Sequence, residues 1–375
     1  MWLAWSCATL LAAALAMTLP VSNSSPWTAA VHAPPLARWD AVWYRSVALD
    51  GYTNDPSSLE NNVGFYPLYP VTVRAISRLL PVNILWIGIG LSLACLLGAL
   101  LLAGQIFFEW GGEAGAIRGT AALLLYPTSF YFASVYTESL FLLLTVAAFW
   151  ASRRGRWAVA GAAGFLASLT RLNGFLLAIP IAWYGWRFCK ERRSEGERGG
   201  ARKRAAVGAP AALAVIATLA GAAVFPAFLG SRFGDPLLYL HSKAAGWDMR
   251  SGSLLTLFAR IGTGLRDAFR DPAGLESLSF ASQLASAVLF VYLTVRLFRR
   301  GLPAEGLYAA ASLLLLFHAS TLAGMDRYVL ALFPAFFALA ADLARRPALS
   351  FACMLFGVTI QVTFLHRFVH WIMVS

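Results

Sequence analysis

Long apolar runs separated by short polar breaks constrain this chain more than any other feature of its sequence. A helix that crosses a membrane needs about 20 predominantly apolar residues. Runs near that length recur along the whole chain, at about 2–20, 82–108, 119–135, 137–151, 157–170, 174–189, 206–229, 279–298, 304–323, 328–344 and 348–365. Only 13% of the residues are charged, about half the share in a typical soluble domain. The sequence therefore predicts an all-α polytopic membrane protein, a single domain over residues 1–375 with about eleven transmembrane helices.

The basic residues predict how the chain is oriented in the membrane. The net charge is +12, and the Lys and Arg residues cluster in four breaks between apolar runs: Arg153, Arg154 and Arg156; the segment 190–204; Arg296, Arg299 and Arg300; and Arg345 and Arg346. With eleven spans, all four clusters fall on one side, which short basic loops mark as cytoplasmic. We therefore expect a cytoplasmic N-terminus, an outside C-terminus and a mobile cytoplasmic linker at about 190–204. Because this charge faces anionic lipid, we expect no nucleic-acid partner.

Two longer polar segments are predicted on the external side, at about 21–81 and 230–278. The second contains the run 254–270, whose apolar residues are spaced for one helix face while its arginines can stay in water. Such a helix lies in the plane of the membrane interface. The first contains "LARWDAVWYRSVALDGY", which puts Asp40 on the first turn of another interfacial helix. We therefore expect both external loops to carry interfacial helices.

Unusual polar residues from six places in the sequence meet at this external interface. They are Arg38, Asp40, Arg45, Asp50 and Glu60 in the first loop, Glu138, Arg171, Asn173, Asp326 and Arg327 at outer turns, and Asp235 and His241 in the second loop. Arginine binds phosphate through a planar fork of donors, and a carboxylate can take a proton from a hydroxyl nucleophile. Trp39, Trp43 and Tyr44 suit both sugar faces and headgroup depth. The pattern predicts a site for a lipid-borne anion.

Each of these residues also has a purely structural interpretation. Arg38 is compatible with an interfacial anchor, and Arg171 and Arg327 with arginines that snorkel at helix ends. The aromatic residues are compatible with an interfacial belt, Glu138 and Asp40 with helix caps, and His241 with an ordinary loop histidine. The four cysteines lie far apart in sequence, and no Cys or His spacing fits a metal site, so no metal site is assigned from the sequence. Metal dependence is not implied, although two carboxylates near a phosphate leave it open.

The stretch "RWDAVWYRSVALDGY", followed by "ENNVGFYPLYP", resembles the signature of the PIG-V family, also called GPI mannosyltransferase 2. The matching positions are Trp39, Asp40, Trp43, Tyr44, Gly51, Tyr52, Glu60, Gly64, Phe65, Pro67 and Pro70. The stretches "YPTSFYFASVYTESLF", "TRLNG", "FGDPLLYL" and "DRYVLALFP" resemble later blocks of the family in the same order. The likeness therefore runs over nearly the whole chain.

The resemblance implies a glycosyltransferase of the GT-C type that takes its sugar, by family a mannose, from a polyprenyl-phosphate donor. It also implies that Asp40, in the first external loop, is the catalytic residue. The composition, rich in alanine, arginine and glycine with short loops, indicates a bacterial member in the plasma membrane with its active site outside. Because bacteria make no GPI anchors, the acceptor is left open as a glycan, a lipid or a protein.

These inferences combine into one hypothesis about the reaction. Asp40 is predicted to accept the proton of an acceptor hydroxyl in an inverting displacement, with Glu60 orienting Asp40 or the acceptor. Arg171 and Arg327, with Arg38 as a third candidate, are predicted to hold the donor phosphate. Further substrate contacts are predicted for Trp39, Trp43, Tyr44, Glu138, Asn173, Asp235, His241 and Tyr328. No cofactor is expected, since no Gly-rich phosphate loop occurs.

Two other classes of function remain open for the sequence. A transporter or flippase of lipid-linked sugars would share the arginines and the membrane groove, although transporters usually carry their polar residues near mid-span. A non-catalytic membrane partner of another enzyme would bind lipid or protein without needing Asp40.

Overall fold

A computed structural model of the chain describes residues 1–19, 33–55, 57–58, 60–194, 201–247, 249–250, 252–272, 274–372 and 374. Their regular structure is entirely helical, which confirms the predicted all-α class. The α-helices are α1 (Trp2–Ala16), α2 (Ala41–Asp50), α3 (Leu68–Ser77), α4 (Ile84–Leu124), α5 (Glu138–Arg153), α6 (Trp157–Ser168), α7 (Ala178–Ser194), α8 (Ala201–Phe233), α9 (Leu238–Gly246), α10 (Leu254–Arg270), α11 (Leu275–Arg299), α12 (Pro303–His318), α13 (Met325–Tyr328), α14 (Phe333–Leu343) and α15 (Pro347–Val369). Short 3-10 helices occur at Asn62–Gly64, Ser129–Ala133, Leu172–Leu177 and Val329–Ala331.

Helices rich in small residues form the centre of the bundle. α5 contacts both α4 and α6, α6 packs along α8, and α14 packs against α4. The sequence of α6 is "WAVAGAAGFLAS", and a Cβ added at Gly164 would lie 2.1 Å from the Oγ1 atom of Thr218 on α8. Only glycine therefore permits this close approach. Small residues at helix contacts are typical of membrane bundles, where close van der Waals packing drives association.

The long helix α4 reverses direction at Gly112. This glycine has φ 63° and ψ −161°, a conformation that residues with a side chain rarely adopt. Twelve residues of a straight α-helix span about 18 Å. A Cβ added at Gly119 would nevertheless lie only 2.7 Å from the ring of Phe107. Residues 113–124 therefore fold back along residues 84–110, and α4 is a helical hairpin.

Four helices of the described residues are long and apolar enough to cross a membrane, judged by length and composition: Ile84–Leu124, Gly208–Phe233, Glu276–Arg299 and Pro347–Val369. The helices α1, α6 and α14 are apolar but shorter. Each of the eleven predicted apolar runs overlaps a helix, although in the run 119–135 the α-helix ends at Leu124. The chain is thus a helical membrane protein. The number of crossings and the side on which each loop lies stay predictions.

Short helices fill the two segments that are predicted as external loops. α2 and α3 lie in the first segment, of which residues 20–32 are outside the described part, and α9 and α10 lie in the second. The helix predicted at 254–270 is confirmed as α10, and Leu255 and Phe269 on it are 81% and 82% exposed. Its placement in the membrane interface stays a prediction.

The segment predicted as a linker at 190–204 is helical at both ends. α7 continues to Ser194 and α8 begins at Ala201, because Lys, Arg and Glu are good helix formers. The intervening residues 195–200 lie outside the described part of the chain.

Candidate active site

A cavity of about 240 Å³ opens where α2, α9, α12 and α13 approach one another. Its wall is mainly apolar, with Leu240, Leu315 and Leu316 among its lining residues. Polar side chains from distant parts of the sequence also line it, and they include Asp40, Tyr44, Thr137, Thr170, Arg171, Asn173, Lys243, Arg327 and Tyr328, beside Tyr66, Tyr239, His318 and Thr321. Six of these are predicted site residues, so the fold brings a large part of the predicted site into one cavity.

Asp40 lies directly before α2, at a backbone position fixed by a buried tyrosine. The preceding residue, Trp39, has φ 54°, in the left-handed region, which costs a non-glycine residue about 1–3 kcal/mol. The Asp40 N–H donates to the hydroxyl of Tyr136 at 3.1 Å, and that hydroxyl donates to the carbonyl of Arg38 at 3.2 Å. The Asp40 carboxylate makes no capping hydrogen bond to α2. It is therefore free to point to other groups in the cavity.

Two arginines and two carboxylates form a chain of ion pairs beside the cavity. Arg327 Nη1 lies 3.0 Å from Asp40 Oδ2, and its Nε lies 3.2 Å from Glu138 Oε1. Arg171 Nη1 lies 3.1 Å from the same Glu138 oxygen. The Glu138 side chain is only 2% exposed, and those of the arginines are 12% and 13% exposed. Both arginines thus turn inward to a shared buried carboxylate, which rules out the snorkelling interpretation for them.

Aromatic rings hold the two guanidinium groups from their other sides. The Tyr328 ring centroid lies 4.9 Å from the Arg171 guanidinium and 5.0 Å from that of Arg327. Arg327 also lies over the rings of Tyr131 and Tyr136. Such contacts stabilise a cation without neutralising its charge. The arginines therefore keep their positive charge facing a confined, mostly apolar space.

Lys243 is a third cation of the cavity, and the sequence analysis did not identify it. Its Nζ lies 3.9 Å from the ring centroid of Phe65 and 4.0 Å from that of Trp247. Burial lowers the pKa of Lys243 to about 8, although the nearby Asp40 carboxylate opposes the shift. The sequence did carry a signal. The chain has three lysines against 27 arginines, and the other two lie in or beside the basic segment 190–204.

A comparison with protein families identifies the first part of this site. The family model described as Mannosyltransferase (PIG-V) matches residues 6–184, just under half of the chain. Residues 6–184 are thus similar to the PIG-V mannosyltransferase family. This PIG-V segment supplies Asp40, Glu138 and Arg171, while Lys243 and Arg327 reach the same cavity from the rest of the chain. No curated protein matches the chain.

Two solved structures are similar to the chain. ArnT from Cupriavidus metallidurans, bound to undecaprenyl phosphate, matches with a TM-score of 0.50 at 16% identity, over 98% of this chain and 68% of ArnT. The Archaeoglobus fulgidus oligosaccharyltransferase in complex with Zn and sulfate matches with a TM-score of 0.48 at 14% identity, over 96% of this chain and 53% of that protein. The chain thus spans about half the length of the archaeal protein. The likeness to ArnT shows that the two chains share a fold, and residues 6–184 match a mannosyltransferase family model.

Arg38 of the PIG-V signature lies outside the cavity. It is buried, and its Nε and Nη1 atoms each donate to a backbone carbonyl at 3.0 Å, those of Val369 and Pro34. Its guanidinium and the ring of Trp39 both lie against Trp371. Because its donors are committed to carbonyls, we do not include Arg38 among the proposed phosphate contacts. Its role is that of an anchor between the first loop and the end of α15.

Other predicted contact residues lie around the cavity or apart from it. Trp43 stacks on Phe65 at 6.1 Å between ring centroids, behind the ring that contacts Lys243. The Glu60 side chain is exposed, so the structure gives it no contact with Asp40. Asp235 and His241 pair with each other at 2.7 Å on the surface and do not line the cavity.

Among the described residues, no three His, Cys, Asp or Glu side chains come close enough together to hold a metal ion. The expectation that the protein needs no cofactor stays a prediction, and its metal dependence stays open.

Proposed function

We propose that this glycosyltransferase moves a mannose from a polyprenyl-phosphate mannose donor to an acceptor hydroxyl, by inversion, on the external face of a bacterial plasma membrane. The observation that carries the proposal is the single cavity in which the Asp40 carboxylate meets the inward-turned Arg171 and Arg327. A base and a phosphate clamp are the two functions that displacement of a sugar from a lipid phosphate requires.

In the proposed reaction, an oxygen–carbon bond forms between the acceptor hydroxyl and the anomeric carbon of the donor sugar. The bond from that carbon to the phosphate oxygen breaks, and polyprenyl phosphate leaves with the electron pair. Asp40 takes the hydroxyl proton. Arg171 and Arg327 stabilise the negative charge that grows on the leaving phosphate, and the Arg327 contact at 3.0 Å orients the Asp40 carboxylate.

The lipid-linked donor is supported from two directions. ArnT, which shares the fold, was solved with undecaprenyl phosphate bound. The cavity of this chain joins its cations to an apolar wall that includes Leu240, Leu315 and Leu316, suited to the first isoprene units of a lipid tail. The mannose is proposed from the mannosyltransferase family model that residues 6–184 match. The acceptor, whether a glycan, a lipid or a protein, is to be found by experiment.

The assignment of Asp40 is tested by comparing Asp40→Asn with Asp50→Asn. Asp50 is the last residue of α2 and is exposed, so the same change there is a matched control. Asparagine keeps the shape of aspartate but is not a base. Loss of a positioned base slows proton transfer by about 10²–10⁴-fold. We therefore expect Asp40→Asn to lose nearly all transfer activity and Asp50→Asn to keep most of it.

The measurement is the rate at which purified protein transfers sugar from a panel of polyprenyl-phosphate sugars to membrane extracts, with products analysed by mass spectrometry. Both variants are compared at equal membrane abundance. If Asp40→Asn retains most of the wild-type rate, or Asp50→Asn is the slower of the two, then Asp40 is not the base. If the wild-type protein uses no polyprenyl-phosphate sugar, then the proposed donor class is wrong.

A further inference from the structure

Lys243 is placed in the cavity by packing on three sides. Its stem passes Gly64, where an added Cβ would lie 3.2 Å from the Lys243 Cε atom. Its ammonium group lies over the rings of Phe65 and Trp247, and Trp43 packs edge-on against Trp247. The aromatic contacts and the absence of a side chain at position 64 fix the ammonium group at the cavity wall. A lysine that served only to keep a surface loop soluble would not need such a setting.

The charges of the cavity do not balance within the protein. Arg171 and Arg327 share the carboxylates of Glu138 and Asp40 in the ion pairs described above. Lys243 takes part in none of the ion pairs between described residues. Glu60 acts on it only from a distance and is itself exposed. Three cations facing two carboxylates leave one positive charge without a partner, and that charge is on Lys243.

We propose that Lys243 is the third contact for the phosphate of the lipid-linked donor and supplies the charge that matches this anion. The inference rests on the proposed function and adds a residue outside the PIG-V segment to its binding site. A sugar linked to a polyprenol through phosphate is a phosphodiester with one negative charge, equal to the surplus that Lys243 provides.

The same balance holds through the reaction. When the sugar leaves, the lipid phosphate becomes a monoester and gains a second negative charge. At that moment Asp40 accepts the acceptor's proton and loses its own negative charge. The net charge of the protein groups therefore rises from +1 to +2, while the charge of the phosphate changes from −1 to −2. The cavity with its bound lipid is neutral before and after transfer, so no uncompensated charge is left in an apolar environment.

The proposal implies that donor affinity depends on pH. Burial lowers the pKa of Lys243 to about 8; Asp40 and Glu60 act to raise it, and Arg327 and Arg171 act to lower it. Tyr44 and Tyr66 line the same cavity, and burial raises their pKa values, so both stay neutral over this range. Lys243 is therefore charged below pH 8 and neutral above it. The affinity that its charge provides is present below pH 8 and is lost as the pH rises through this value.

The test measures direct binding, which needs no acceptor. Purified protein in detergent is titrated with undecaprenyl-phosphate mannose, for the wild type, Lys243→Met, Lys243→Arg and Lys190→Met. Lys190 is the matched control, because its ammonium group also lies over an aromatic ring, that of Trp186 at 5.3 Å. Lys190 is distant from Lys243 in sequence and does not line the cavity. Loss of a charge-assisted contact to phosphate weakens binding by about 10–100-fold.

We expect that loss for Lys243→Met, affinity within a few-fold of wild type for Lys243→Arg, and no change for Lys190→Met. Between pH 7 and 9.5, the wild type should lose about tenfold or more in affinity, whereas Lys243→Arg should not, since a guanidinium stays charged. Equal binding by the wild type and a folded Lys243→Met would overturn the proposal. If Lys243→Met does not fold, a wild-type affinity that is constant from pH 7 to 9.5 overturns it instead. Failure of the wild type to bind any polyprenyl phosphate would instead refute the proposed function.

Discussion

Replacing Glu138 by glutamine tests whether the buried carboxylate holds the two arginines of the site. One oxygen of Glu138 lies 3.1 Å from Arg171 Nη1 and 3.2 Å from Arg327 Nε, and the side chain is 2% exposed. Glutamine preserves the size of the side chain and one carbonyl oxygen, but it removes the negative charge. Two buried guanidinium groups would then share the single carboxylate of Asp40.

The magnitude follows from burial and distance. Two unit charges about 4 Å apart attract each other by about 4 kcal/mol at an effective dielectric constant of about 20, and part of this is offset by desolvation. Removing one partner of a buried ion pair typically costs about 3–5 kcal/mol, because a charge is left buried and uncompensated. We therefore expect Glu138→Gln to lower the free energy of unfolding by about 3 kcal/mol or more.

Glu109, on α4, offers a matched control, because it pairs with the arginines at the end of α5 opposite to Glu138. Its two oxygens lie 2.8 Å from Arg153 Nη2 and 2.5 Å from Arg154 Nη2, so one carboxylate again holds two arginines. The Glu109 side chain is 35% exposed, however, and solvent-accessible ion pairs contribute about 0–1 kcal/mol. Glu109→Gln should therefore change the free energy of unfolding by less than about 1 kcal/mol.

The assay is chemical denaturation of purified protein in detergent, with and without undecaprenyl phosphate. A bound phosphate supplies the anion that Glu138→Gln lacks, so the lipid should restore more stability to this variant than it adds to the wild type. Equal losses for Glu138→Gln and Glu109→Gln would refute the reasoning. So would a lipid effect of the same size in Glu138→Gln and the wild type.

Three further predictions follow from the site and the fold. Arg171→Ala and Arg327→Ala should each weaken binding of undecaprenyl-phosphate mannose by about 10–100-fold while affecting the acceptor less, and unchanged titrations for both would remove them from the phosphate site. Burial raises the pKa of Asp326 to about 7 from an ordinary 3.8. The folded protein therefore keeps a proton that the unfolded chain releases, and the free energy of unfolding should fall as the pH rises from about 4 to 7. Asp326→Asn should abolish that fall in a pH series of denaturation curves, and an unaltered pH dependence would contradict the assignment. A cysteine introduced at the exposed Ser57 should react with an impermeant reagent in intact cells; labelling only after lysis would reverse the predicted orientation.

The sequence predicts the helical class and α10 well because both depend on local periodicity. The apolar runs mark the helices, and the run 254–270 has the spacing of one helix face, so α10 begins and ends at the predicted residues. The number of crossings is harder to predict. In the run 119–135, for example, the helix α4 ends at Leu124, although the sequence stays apolar beyond it. Hydropathy measures apolarity, and it does not report where the backbone turns.

The residues of the site are less accessible to sequence reasoning, because residue type does not determine which way a side chain points. Arg38 and Arg327 are both arginines beside aromatic residues in external segments. One donates to backbone carbonyls at the end of α15, and the other pairs with Asp40. Lys243 lies just beyond the stretch that resembles a family block, which ends at Leu240. The resemblance therefore did not mark it, and only the fold shows its contact with Phe65.

The anchor formed by Arg38 has a consequence for how the protein is made. The carbonyl that receives Arg38 Nε belongs to Val369, 331 residues further along the chain, and His370 contacts the carbonyl of Ala16 across a similar separation. A ribosome therefore synthesises the loop that carries Asp40 early and its anchor last. Tyr136, which holds the Asp40 backbone, is made much earlier, so during nearly all of translation the loop has this contact but lacks the one to Val369. The contacts of the first loop and of α1 with the end of α15 can therefore form only when the chain is almost complete.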